Sequence, residues 1–315
     1  DFYISFSRMN FMQEKHSRLN LKGVLYGILA AICYGTNPLG ALHLYAEGFS
    51  PDSVLFYRFV FGCLFLGLTI LFTGKKFRVS FKELKVLFCL GVLFALTALT
   101  NYGSFCFMDA GLASTLLFLY PLEVALIMGI FFKEKLNKVT AFSIGLSLVG
   151  IACLYRGGND GMPLNSTGLL LVLISSLSYA VYIVVVSKAK LLMGSVKLSF
   201  WAMFFCLWMV LFYGICFGSG VPKIPSTFSS LGWCVMLGLV PTFLSLVFMA
   251  KAVKLVGSTP TAVMGALEAL TAVFIGTVVF HEVLTPRLIL GIGLILFAVT
   301  FMAAKKVSTN EKGVK

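Results

Sequence analysis

Charge is scarce in this chain. Only 12% of its 315 residues are Asp, Glu, Lys or Arg, against about 25% in a typical soluble domain. So few charges cannot clothe a chain of this length in a water-facing surface, which excludes an ordinary soluble enzyme and a disordered polymer. No Walker loop, H-E-x-x-H or G-x-S-x-G stretch is present, and histidines number only three. Neither an enzyme nor an ATP-driven pump is expected. There is no C-x-x-C pair either. The eight cysteines (33, 63, 89, 106, 153, 206, 216 and 234) all fall inside apolar runs and read as packing residues, so no metal and no cofactor is expected. The first twenty or so residues lack an apolar stretch after their early charges, so no cleavable signal is expected, and Met9 and Met12 are candidate starts.

Apolar residues make up 59% of the chain, and its mean hydropathy is +0.98. Ten apolar runs lie near 23–46, 51–73, 86–108, 112–132, 139–155, 168–187, 198–219, 231–250, 259–280 and 287–304. Each approaches the roughly 20 residues that an α-helix needs to cross hydrocarbon. The expected fold is all-α: a polytopic membrane protein of ten transmembrane helices. Ser50-Pro51, Thr259-Pro260 and Thr285-Pro286 each place a capping hydroxyl before a proline at the first helical position.

The formal net charge of +13 would suggest nucleic acid in a soluble protein. Here 21 of the 25 basic residues fall in the two tails and in alternate loops, which ten alternating helices put on one side. Only Arg156, Lys223 and Arg287 reach the other side, and Arg58 lies within the second helix. That bias predicts both termini in the cytoplasm and no nucleic-acid partner.

Sliding the chain by 148 residues brings Phe132, Glu134, Leu136, Ile144, Gly145, Leu146 and Leu148 onto Phe280, Glu282, Leu284, Ile292, Gly293, Leu294 and Leu296, seven identities in seventeen positions. An offset of 145 brings Gly23 and Tyr34 onto Gly168 and Tyr179. The expected organisation is a tail (1–22), a five-helix repeat (23–155), a connecting loop (156–167), a second five-helix repeat (168–304) and a tail (305–315). Because five is odd, the second repeat enters the membrane inverted, a recurrent design of secondary transporters whose substrate site lies where the halves meet.

These residues carry a family resemblance. The five-plus-five arrangement, Gly35-Thr36-Asn37-Pro38 in the first helix, Phe56-Tyr57-Arg58-Phe59 in the second, and Phe132-Lys133-Glu134 and Phe280-His281-Glu282 at the ends of helices four and nine resemble the EamA-type transporters of the drug/metabolite transporter superfamily. The resemblance implies a secondary carrier of the cytoplasmic membrane. Its substrate would be a small polar or zwitterionic metabolite, first an amino acid or related compound, moved outward by alternating access. An importer or exchanger of a nucleotide-like metabolite, a membrane-embedded enzyme or lipid-handling protein, and a channel are the alternatives.

Polar groups within the spans mark the candidate site. A charge at a helix centre costs about 2.5–3.5 kcal/mol on insertion scales, so it persists where something compensates it. Glu123 and Glu268 lie near the middles of helices four and nine, and Arg58 lies seven residues into helix two. A carboxyl group in apolar surroundings can change protonation near neutral pH, so one Glu is expected to accept and release a coupling proton or to hold a substrate ammonium. Arg58 is expected to bind a substrate carboxylate or to neutralise a Glu. Asn37-Pro38 and Tyr120-Pro121 interrupt their helices, and Tyr120 shares a face with Glu123. Asn101, Tyr102, Tyr179, Tyr182 and Trp201 are further candidate liners, with Ser178, Thr242 and Ser245. Glu134 and Glu282 read as structural, paired locally with Lys135 or Arg287.

Overall fold

A computed structural model describes residues 21–74, 76–133, 138–155, 165–189, 191, 193–257, 261 and 263–312. The tail 1–20, Glu134 with its neighbour Lys135, most of the connecting loop and the Thr259-Pro260 cap lie outside the described residues.

Among the described residues the regular structure is all helix. In chain order the helices are α1 (Leu21–Ala46), α2 (Pro51–Phe72), α3 (Phe81–Ser104), α4 (Ala110–Phe132), α5 (Lys138–Tyr155), α6 (Ser166–Lys188), α7 (Ser195–Cys216), α8 (Phe228–Val256), α9 (Ala266–Val279) and α10 (Pro286–Lys312). Seven of them, α1–α4 and α6–α8, are long and apolar enough to cross a membrane. The apolar segments of α5, α9 and α10 are shorter: Ala141–Leu154, Ala266–Val279 and Pro286–Phe301. Large apolar side chains point outward, as on the Leu64, Leu68 and Leu71 stripe of α2. That outward face suits acyl chains, and the helical backbone satisfies its own polar groups as hydrocarbon demands. All eight cysteines are free.

Local chemistry sets the ends. The Ser50 hydroxyl accepts from the Ser53 N–H ahead of Pro51, and the Thr285 hydroxyl accepts from the Leu288 N–H at 3.3 Å, as those sequences predict. Helix α3 starts earlier than its apolar run because Glu83 reaches back to accept from the Ser80 N–H at 2.7 Å. Likewise α8 begins at Phe228, where Thr227 accepts from the Ser230 N–H at 3.1 Å.

Three helices are interrupted. In α1 the Asn37 amide donates to the Tyr34 carbonyl at 2.8 Å and the Thr36 hydroxyl to the Cys33 carbonyl at 2.7 Å. These bonds satisfy backbone oxygens at the break ahead of Pro38. In α4 a turn separates Ala110–Leu117 from Tyr120–Phe132 just before Pro121. The sequence reading did not anticipate the third break: Gly238–Leu244 of α8 is a π-helical segment containing Pro241, and the Thr242 hydroxyl donates to the Leu237 carbonyl at 2.8 Å.

The packing partners recur in matched pairs. Helix α3 packs on α6 and α7, and α8 packs on α1 and α2. Helix α4 meets α6 and α9, while α9 meets α4 and α1; α2 pairs with α7 and α5 with α10. Close backbone approaches recur likewise. A Cβ on Gly91 of α3 would stand 3.0 Å from the Cys206 nitrogen of α7, and one on Gly238 of α8 would stand 3.0 Å from the Gly62 nitrogen of α2. Gly23 abuts Leu255 and Val256, whereas Gly168 abuts Phe107 and Met108. Lys133 and His281, at matched positions after α4 and α9, both take left-handed backbone angles, with φ of 54° and 57°.

Candidate substrate cavity

Arg58 is the centre of the candidate site. It leaves α2 about two turns from its start and is 3% exposed. Its Nε donates to the Thr242 hydroxyl at 3.0 Å, and Nη1 donates to the Tyr102 hydroxyl at 3.1 Å. The Tyr102 hydroxyl in turn donates to the Asn37 side-chain oxygen at 3.0 Å, and Tyr45 donates to the Tyr102 carbonyl at 2.9 Å. The interruptions of α1 and α8 therefore deliver the groups that hold the arginine. The guanidinium carbon also lies 5.4–5.7 Å from the ring centroids of Tyr102, Phe59 and Tyr34, within cation–π range. Among the described residues Arg58 has no ion-pair partner.

Beside it lies a cavity of about 470 Å³ walled by Tyr34, Arg58, Phe94, Tyr179, Tyr182, Ser199, Ala202, Met203, Pro241, Thr242 and Leu246. The mostly apolar wall fits a small-molecule site. The Tyr179 and Tyr182 rings stack at 5.8 Å, Phe94 closes on Tyr182 at 5.6 Å, and Tyr120 meets Tyr179 edge-on at 4.8 Å. A second cavity, of about 690 Å³, shares the Ser199 and Leu246 walls and runs between α2, α7 and α8 to Ser195 and Lys254.

The sequence-predicted residues divide around this centre. Arg58, Tyr179 and Tyr182 line the cavity; Asn37 and Tyr102 form the network behind Arg58; Tyr120 buttresses Tyr179. Glu268 stands within electrostatic reach of Arg58, Tyr34, Tyr120 and Tyr179, and its carboxylate makes no hydrogen bond or ion pair among the described residues. Glu123 lies apart and accepts from the Ser176 hydroxyl of α6 at 2.7 Å. The Asn101 side-chain oxygen is buried without a hydrogen-bond partner among the described residues. Trp201 stands outside the wall, where its indole donates to the Phe77 carbonyl at 3.1 Å. Phe94, Met203, Ser199, Pro241 and Leu246 were not singled out by sequence; only the match of Tyr34 to Tyr179 pointed to the Tyr34 wall.

Glu282 differs from its sequence reading. Its carboxylate is not in a local pair. Oε1 accepts from the Ala110 N–H at 2.9 Å and Oε2 from the Gly111 N–H at 3.3 Å, capping α4 from beyond the end of α9. Gly276 makes room for the carboxylate. Burial raises the Glu282 pKa above the ordinary carboxyl value, Asp109 adds to the rise, and the two N–H groups oppose it.

A helical, multi-pass membrane protein with a mostly apolar, partly enclosed cavity beside a buried cation belongs to the class of membrane transporters. The sequence matches the EamA-like transporter family over residues 21–156 and 166–304; the chain belongs to that family. It is 24% identical over 315 residues to the uncharacterized transporter YcbK of Bacillus subtilis, covering 96% of this chain and all of that one. It is also 24% identical over 278 residues to an uncharacterized transporter of Archaeoglobus fulgidus, covering 86% and 94% of the two chains. A protein of known crystal structure shares the fold with a TM-score of 0.63 at 17% identity, over 89% of this chain and 96% of that one.

Proposed function

We propose that the chain is a secondary carrier of the cytoplasmic membrane, built from two inverted five-helix halves (23–155 and 168–304) that alternate access to the Arg58 cavity. Support for the inverted halves comes from the packing. The helix pairs named above have counterparts when α1–α5 are exchanged with α6–α10, and so do the Gly91 and Gly238 contacts and the Gly23 and Gly168 contacts. The bias of basic residues favours cytoplasmic termini. On that topology the Lys254 end of the second cavity faces the cytoplasm, while Glu282 seals the outer ends of α4 and α9.

The single observation that carries the reading is Arg58, a buried cation held by neutral groups at the edge of a cavity. A buried cation is retained where it does work. The substrate is a small metabolite bearing a carboxylate, an amino acid or related compound, loaded from the cytoplasm and exported. Glu268, within reach of Arg58 and unpaired, is the proton-coupling group. The test is counterflow in proteoliposomes with pooled labelled metabolites: a carrier gives saturable exchange, and an enzyme gives turnover without it. Glu268→Gln should leave folding intact and abolish pH-driven accumulation; wild-type accumulation in that variant removes Glu268 from the coupling.

A further inference from the structure

We infer that the Arg58 cavity takes a monocarboxylate with an apolar body, and that an ammonium group on the ligand weakens its binding. The inference rests on the carrier reading above and narrows its substrate from amino acids and related compounds to those carboxylates that lack the ammonium. A guanidinium has five N–H donors. Two neutral acceptors, Thr242 and Tyr102, engage it here, which leaves donors for a bidentate carboxylate. Burying the arginine without an anion is costly, and a ligand carboxylate supplies the missing countercharge.

The rest of the wall fixes the body of the ligand. Tyr34, Phe94, Tyr179, Tyr182, Met203 and Leu246 present rings and apolar chains, which a sugar or a polyol would waste. The route to the site has the same character. Leu66, Val196, Leu246, Val247, Met249 and Val253 line the adjoining cavity, and Lys254 at its end is the one charged wall residue among the described residues. Among the described residues neither wall contains an Asp or Glu. A ligand ammonium would therefore lose its water without gaining a partner in the wall. Glu268, although within electrostatic reach of Arg58, is not part of either wall. Lys254 also raises the local concentration of an anion at the mouth.

The test uses the purified full chain, with binding read by thermal shift in detergent and transport read by counterflow in proteoliposomes. The probes are 3-phenylpropionate, phenylalanine, phenethylamine and propionate. The expected order puts 3-phenylpropionate about tenfold or more ahead of propionate, which lacks the ring, and ahead of phenylalanine, with no competition from phenethylamine. Arg58→Gln should weaken 3-phenylpropionate binding by about 10–100-fold. Lys254→Gln should slow its uptake at low ionic strength and match wild type at high salt. The ligand series on the unaltered protein decides the matter by itself if Arg58→Gln does not fold. Phenylalanine or phenethylamine binding as tightly as 3-phenylpropionate overturns the inference, as does no binding of 3-phenylpropionate. Binding in the expected order without counterflow upholds the ligand class and overturns the carrier reading; counterflow that prefers the zwitterion does the reverse.

Discussion

Removing the Glu282 carboxylate should loosen the start of α4 and little else. The first N–H groups of a helix have no partner within it, and here those of Ala110 and Gly111 are supplied by a side chain from the other half of the chain. Both bonds are part-buried, and the Gly111 bond is long at 3.3 Å. Helix-capping losses run about 0.5–2 kcal/mol. Relief of the buried carboxylate offsets some of the loss, since burial already disfavours the anion here. A net cost of about 1–2 kcal/mol for Glu282→Ala corresponds to a change of about 5–30-fold in the local opening equilibrium. Hydrogen exchange in peptides covering 110–117 should rise by that factor, with peptides from α5 and α7 unchanged. Gly276→Ala tests the same contact from the other side, because its Cβ would occupy the place of the Glu282 carboxylate end. It should raise exchange in the same peptides. The double variant should cost less than the sum of the two, since each breaks one shared contact. Wild-type exchange across 110–117 in Glu282→Ala refutes the reasoning.

Four further outcomes follow from the same geometry. With its pKa raised, Glu282 favours the folded state most below about pH 4.5, its ordinary value, and that contribution fades as pH rises through the raised value. The stability of wild type relative to Glu282→Gln should therefore fall with rising pH in thermal melts, and a difference that grows with pH contradicts this. Gly91→Ala and Gly238→Ala should each cost about 1–3 kcal/mol through overpacking against α7 and α2; tolerance of either in melting curves counts against the close approach. Trp201→Phe should cost about 1 kcal/mol for the bond to Phe77 and leave substrate affinity at wild type, measured by competition. Thr242→Val removes an acceptor from Arg58 and should weaken ligand binding without unfolding the chain; unchanged affinity would separate Thr242 from the site.

The helical plan was legible because hydrocarbon imposes a coarse rule: apolar runs of fixed length between clusters of charge. Caps such as Ser50-Pro51 and breaks such as Tyr120-Pro121 were also legible, since each is local in the chain. The π-helical turn of α8 was not. Pro241 was visible, but which carbonyls it would strand depends on α2 packed against it. Glu282 was assigned a nearby cation because side-chain charges can be read from sequence, whereas its actual partners are backbone N–H groups that every residue but proline carries. At the cavity, polar residues stood out against an apolar background, so Arg58, Asn37, Tyr102, Tyr179 and Tyr182 were found. Phe94, Met203 and Leu246 had no such contrast among 59% apolar residues.

The Thr242 oxygen performs two tasks. Its proton goes to the Leu237 carbonyl inside the irregular turn of α8, and its lone pair receives Arg58 Nε. The winding of one transmembrane rod and the aim of the positive group on its neighbour are thus a single mechanical variable. Regularising that turn would draw the oxygen away and release the guanidinium, whereas a cargo that pulls on the guanidinium would strain the turn. For the carrier proposed above, grip on the solute and the shape of the rod would then change together.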